Sequence, residues 1–248
     1  MNRATRPFDW FVLALAIVLS VGSIGLFAWE GRPVFFPLQF PERTALAWDA
    51  LLSFLFFLQH SGMVRRSFRT RLSAVVAARY HGAVYAIASG VALTLVAVLW
   101  QPTTTRVLAL HGLARLVASA AALLAVAAFA YTVWVLRPSD PLGLGAIWSN
   151  LRHDTAQPSS FVVRGPYRWV RHPVYSSVLV MLWSQPAPTS DRLLLNLLWS
   201  GWICVGTTLE ERDLVAEFGE VYRQYQQRVP MLIPWRRPVE CSPAEDVR

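Results

Sequence analysis

Apolar runs long enough to cross a lipid bilayer recur along this chain, and most of its charge lies between them. The first is WFVLALAIVLSVGSIGLFAW, at about 10–29; others follow at about 46–64, 75–100 and 107–136. Each can traverse the ~30 Å of hydrocarbon in a membrane. Backbone in that medium must satisfy its own hydrogen bonds, so the runs are expected as helices. Only 15% of residues are charged, against about 25% in soluble domains. The expectation is an all-α, polytopic membrane helical bundle, with residues 1–248 forming one integral membrane domain. The first run resembles a signal peptide, but its apolar part is too long and AWEGRP is a poor cleavage site, so it reads as a spanning helix.

Residues 174–209 differ from the other apolar runs. VYSSVLVMLW is short, SQPAPTSD interrupts it, and LLLNLLWSGWICVGTTL follows. This pattern predicts a helical hairpin with one short arm. The stretch 210–235 then predicts cytoplasmic helix, turn and helix: Leu214 and Phe218 share one face, Gly219 breaks the first piece, Tyr222 and Tyr225 share the next, and Pro230 ends it. The tail beyond Trp235 is expected to be loosely ordered.

The formal net charge is +8, carried on 23 arginines with no lysine. A nucleic-acid binder needs a basic face on a soluble fold. Here the arginines cluster at 3–6, 65–71, beyond 137 and in the C-terminal region. That distribution fits anchoring beside anionic membrane lipids, with both termini and the polar loop 137–173 on the cytoplasmic side. No nucleic-acid partner is expected. The two cysteines, Cys204 and Cys241, make neither a disulfide framework nor a metal motif. The histidines at 60, 81, 111, 153 and 172 include no HExxH pair, so no metal is expected. P-loop, GxGxxG and GxSxG motifs are absent from the sequence.

Three polar constellations stand out. In RGPYRWVRHPVYSS, from Arg164, Pro173 biases His172 toward extended backbone and suits the first turn of the next helix. Free N–H groups beside Arg171 and His172 would suit a carboxylate or phosphate. The same residues would also suit an interfacial belt of aromatics and arginines. Glu210 and Glu211 follow the hairpin. Neighbours on a helix point about 100° apart, so at most one faces a pocket, and a solvated helix end is the alternative. Gln59, His60 and Ser61 close the second run. There His60 either lines a pocket or bonds a neighbouring helix, and Arg79 and His81 could share its cavity. His111 and Arg115 read as structural or interfacial.

GPYRWVRHPVYSS, followed some way on by EERDLVAEFGEVYRQYQQRVPMLIP, resembles the isoprenylcysteine carboxyl methyltransferase and phospholipid methyltransferase superfamily. Within it, LLSFLFFLQHSGMVRRSFR and WSQPAPTSDRLLLNLLW are similar to segments of methanethiol S-methyltransferases and NnrU-like membrane proteins. Ser176, Ser177 and Gln185 depart from that pattern. The resemblance implies S-adenosylmethionine as methyl donor and a donor pocket at the cytoplasmic face of a bacterial inner membrane. Tyr167, Arg168, Arg171, His172, Pro173, Glu210, Glu211, Tyr222 and Tyr225 would bind or support the donor. A thiol near its usual pKa of about 8.5 is mostly protonated at neutral pH, so either it binds as thiolate beside an arginine or a base removes its proton; His60, His172 and Glu210 are the candidate bases. The implied acceptor is a small thiol such as methanethiol, giving dimethyl sulfide. Methylation of a lipid or isoprenylated thiol-acid, and a non-catalytic NnrU-like factor in nitrogen-oxide metabolism, are the alternatives.

Overall fold

The computed structural model describes residues 5–28, 34–136, 144–152, 161 and 163–240. Among them the chain is helical, with one isolated bridge between Arg106 and Thr189 and no strand. The helices are α1 (Thr5–Ala28), α2 (Glu42–Val64), α3 (Arg66–Leu72), α4 (His81–Leu99), α5 (Gly112–Leu136), α6 (Gly145–Arg152), α7 (Pro173–Trp183), α8 (Ser190–Phe218) and α9 (Glu220–Arg228). Short 3-10 turns cover Ala78–Tyr80 and Gly165–Arg168.

Four stretches, Arg6–Phe27, Ala78–Leu99, Gly112–Leu136 and Ser190–Phe218, are long and apolar enough to cross a membrane. The second expected span forms α2, which has 23 residues; Glu42, Arg43, Asp49 and His60 dilute its apolar character, and it is not among the four. Helix α7 has 11 residues, about 16 Å at 1.5 Å per residue, so it is the short arm. Of the polar loop, 137–143, 153–160 (with His153) and 162 lie outside the described residues, as does Cys241. The rest of the loop forms α6 and the second 3-10 turn.

The chain divides into two compact units. The first takes in Met1–Thr104, Asp140–Gln157 and Ser190–Leu195. There α1 lies along α4, and α6 closes the core of Leu13, Ala16, Ala83, Ala86, Leu144 and Ile147. The helices touch at Gly90, where an added Cβ would come 2.8 Å from the Leu19 carbonyl carbon; small residues permit such close backbone approach. An acid in an apolar helix is costly without a partner. Asp9, 1% exposed, accepts a bond from the Tyr80 hydroxyl, which Arg79 also contacts. At the far end of α4, Asp49 accepts the Gln101 N–H, and Asp191 accepts from the Trp100 indole and from Thr103.

The second unit takes in Thr105–Ser139, Pro158–Thr189 and Asn196–Arg248. Here α7 lies along α5, which buries the small residues Ala125 and Thr132, while α7 buries Pro173 and Ser177. The prolyl turn after α7 bonds to the segment before α5, with Val107 donating to Pro188 and Leu110 to Pro186. The expected hairpin boundary at 209 gives way to a continuous helix. LEERDLVAEF contains no breaker, and its leucine, glutamate, arginine and alanine favour helix, so α8 runs through both glutamates to Phe218. Gly219 then supplies the turn: its φ of +60° is accessible to glycine at little cost.

Candidate active site

In the second unit the two distant polar strings meet. Pro173 opens α7, and His172 precedes it with φ −125° and ψ 65°, outside the helical region as a residue before proline should be. This leaves backbone N–H groups of 171 and 172 without helical partners. The chain after α9 takes them: Arg171 donates to Pro230 at 2.9 Å and His172 to Met231 at 3.1 Å. Ser176 Oγ adds a bond to the Leu232 carbonyl at 2.7 Å. The stretch 171–176 is thereby laced to the segment following α9.

Glu211 is the hub. Its Oε1 accepts Arg171 Nε at 2.5 Å and faces His172 Nε2 at 3.2 Å. Its Oε2 accepts Arg171 Nη2 at 3.0 Å and Gln226 Nε2 at 2.9 Å. A carboxylate has about four acceptor directions, and all four are engaged. Arg171 is similarly committed, because its Nη1 donates to the Gln226 and Val229 carbonyls. Both side chains are 10% exposed. The pair thus joins α7, α8 and α9 with bidentate geometry, the strongest form of such a bond.

Glu210 faces elsewhere. Its side chain is 46% exposed, its Oε2 lies 3.9 Å from His172 Nδ1, and the Tyr175 hydroxyl reaches it. His172, 5% exposed, therefore sits between two carboxylates, bonded to one and open to the other. Adjacent glutamates on one helix take different tasks because they point apart.

Aromatic residues support this arrangement. Tyr222, Tyr225 and Val229 form a buried cluster with Phe161, Val163, Leu214, Val215, Phe218 and Val239 packed around it. The i,i+3 tyrosines meet edge to face at 5.7 Å, and both rings also contact Phe161. Tyr225 donates to the Tyr167 carbonyl at 2.7 Å. Burial pushes the Tyr222 and Tyr225 phenols well above their usual range, so they remain protonated. Burial, and then the negative Glu210, push Tyr167 up to about 12. Trp169 is 50% exposed.

Of the tail beyond Trp235, the described residues 236–240 bond back to the site. Val239 N donates to the Arg168 carbonyl, and Arg168 Nε returns a bond to the Val239 carbonyl. Sequence reading also missed Gln226 and Ser176 as parts of the site. Gln226 follows Tyr225 and lies four residues from Tyr222, so the buried face of α9 was the available signal. Ser176 was marked only as a departure from the family pattern.

His60 belongs to the first unit. Its Nε2 bonds the Tyr85 hydroxyl at 2.9 Å and its Nδ1 the Ser89 hydroxyl at 3.2 Å, while Phe56 stacks on its ring. His81 bonds the Val76 carbonyl, and Arg79 serves Tyr80. No cluster of three or more metal-ligating side chains occurs among the described residues.

A helical membrane protein with a buried Arg–Glu–His hub at the end of a spanning helix is the class these features define. The chain belongs to the NnrU family, whose model, described as NnrU protein, matches residues 50–232. Curated relatives include the methanethiol S-methyltransferase of Pseudomonas deceptionensis, 36% identical over 191 residues, covering 77% of this chain and 73% of that protein. The methanethiol S-methyltransferase of Mycobacterium tuberculosis is 28% identical over 228 residues, covering 92% and 93%. Nurim of Rattus norvegicus is 27% identical over 195 residues, covering 73% and 72%. No solved structure matches.

Proposed function

We propose that this chain is a methyltransferase that moves the methyl group of S-adenosylmethionine to a small thiol, with methanethiol as acceptor and dimethyl sulfide as product. The observation carrying this reading is the juxtaposition of His172 with Glu210 and Glu211, in a chain whose relatives include proteins named for that reaction. The site and both termini are assigned to the cytoplasmic side of a bacterial inner membrane, where the basic segments would meet anionic lipid.

The residues present fit the donor. Of the two glutamates, Glu210 retains acceptor capacity for an amino group or ribose hydroxyl. Glu211 and Arg171 have spent theirs on each other and on α9. A donor carboxylate falls to the first turn of α7, behind Pro173, and to the Nη groups of Arg168. Tyr167 and Trp169 offer aromatic surface for adenine. Tyr222 and Tyr225 act from behind, as the packing that fixes Arg171 and Tyr167.

When bound, the donor supplies an electrophilic methyl group on a sulfonium. The chain must orient the thiol in line, exclude water and accept its proton. His172 is assigned that last task. Glu211 accepts from His172 Nε2, which fixes the tautomer and leaves the Nδ1 lone pair toward Glu210; a carboxylate orienting a histidine base is a recurrent device. His60 has both ring nitrogens engaged by hydroxyls, so it is assigned a structural part in the first unit.

Headspace analysis tests the reaction. Purified protein given S-adenosylmethionine and methanethiol should release dimethyl sulfide in proportion to enzyme and time. Donor binding without that product would shift the acceptor to a lipid or isoprenylated thiol-acid. Absence of both would favour the non-catalytic factor.

A further inference from the structure

We propose that the outer face of α8 carries a binding groove for an anionic phospholipid, with an acyl chain along the helix and the phosphate on Arg212. This is separate from the methyl-transfer reading and does not rest on it.

The groove has a volume of about 380 Å³ and is lined by Cys204, Val205, Thr208, Leu209 and Arg212. These residues recur at i, i+1, i+4, i+5 and i+8, so they form one stripe. Glu210 lies opposite that stripe, and Glu211, at its edge, has its carboxylate turned to Arg171 and His172. Cys204 is exposed and Val205 is 49% exposed, on a helix long and apolar enough to cross a membrane. A surface of that kind faces hydrocarbon. The one hydroxyl in it makes no demand on a ligand, because Thr208 Oγ1 donates to the Cys204 carbonyl at 2.7 Å. The wall from Cys204 to Leu209 is therefore apolar over about 8 Å of helix axis, room for the headgroup-proximal part of an acyl chain, and Arg212 lies just beyond it.

Arg212 identifies the other end. Among the described residues it makes no ion pair or hydrogen bond. The helix positions that could pair with it are Thr208, Leu209, Val215 and Ala216, and none is acidic. By contrast, Arg171 has Glu211 and Arg223 has Glu220. An exposed, unpaired guanidinium at the polar end of an apolar groove calls for an anion attached to a hydrocarbon tail. An anionic headgroup such as phosphatidylglycerol meets both requirements, whereas a zwitterionic headgroup offers weaker net attraction.

The test titrates full-length protein in neutral detergent with phosphatidylglycerol, phosphatidylcholine or glycerol phosphate. Tryptophan fluorescence reads the melting temperature, and native mass spectrometry counts retained lipid. Phosphatidylglycerol should raise the melting temperature and remain as an adduct, and the other two should do neither. Arg212→Gln should weaken binding about fivefold, the effect of one arginine near an anionic surface. Thr208→Trp, which fills the groove and keeps the charge, should also abolish the preference, while Arg223→Gln should titrate as the wild type. Equal responses to phosphatidylcholine or to glycerol phosphate would overturn the proposal. So would unchanged titration of both groove variants, or a fall in oligomeric mass in Thr208→Trp showing that a second copy covers the groove.

Discussion

Replacing Glu211 by alanine is expected to destabilise the protein by about 3–5 kcal/mol, the usual cost of leaving a buried charge without its partner. Arg171 would keep its two carbonyl acceptors but lose both carboxylate oxygens, and His172 and Gln226 would lose theirs. The thermal midpoint in detergent should fall sharply. Glu210→Ala, at a side chain 46% exposed, should change stability by no more than about 1 kcal/mol. The double variant Arg171→Met with Glu211→Leu should recover much of the stability, since a well-packed apolar pair can replace a buried ion pair. It should not recover turnover, because His172 would lack its orienting carboxylate. A Glu211→Ala protein that melts with the wild type would mean the hub does not hold α8 to α9.

His172→Ala should lower turnover about 100- to 10,000-fold, the range for losing a general base. The pH profile separates a base from a merely structural residue. A free thiol ionises near pH 8.5 or above, so the variant should regain rate as pH rises and the acceptor arrives already deprotonated. The wild type should gain much less over that interval. A deficit that stays constant with pH would assign His172 to positioning alone.

Much of this was legible in the sequence, for identifiable reasons. Membrane helices announce themselves because hydrocarbon tolerates so few polar residues, so α1, α4 and α5 fall close to their apolar runs. The short α7 was bounded by Pro173 on one side and the prolyl turn on the other. The length of α8 was misjudged because Glu210 and Glu211 look like a terminus, although nothing in LEERDLVAEF breaks a helix. The meeting of the RHP string with the paired glutamates was accessible only through family likeness, since spacing along the chain does not encode a contact forty residues apart. Which glutamate is the hub depended on Gln226 and on carbonyls of α9, and backbone acceptors leave no trace in side-chain patterns. The bonds between Arg168 and Val239 escaped notice for the same reason.

The central claim is that one donor molecule is held where His172 and Glu210 face each other. Equilibrium dialysis of labelled S-adenosylmethionine against wild type and Glu210→Ala tests it most directly. One saturable site is expected, weakened about 10- to 100-fold in the variant by loss of a charged hydrogen bond. Absence of saturable binding, or equal affinity in the two proteins, would contradict the account.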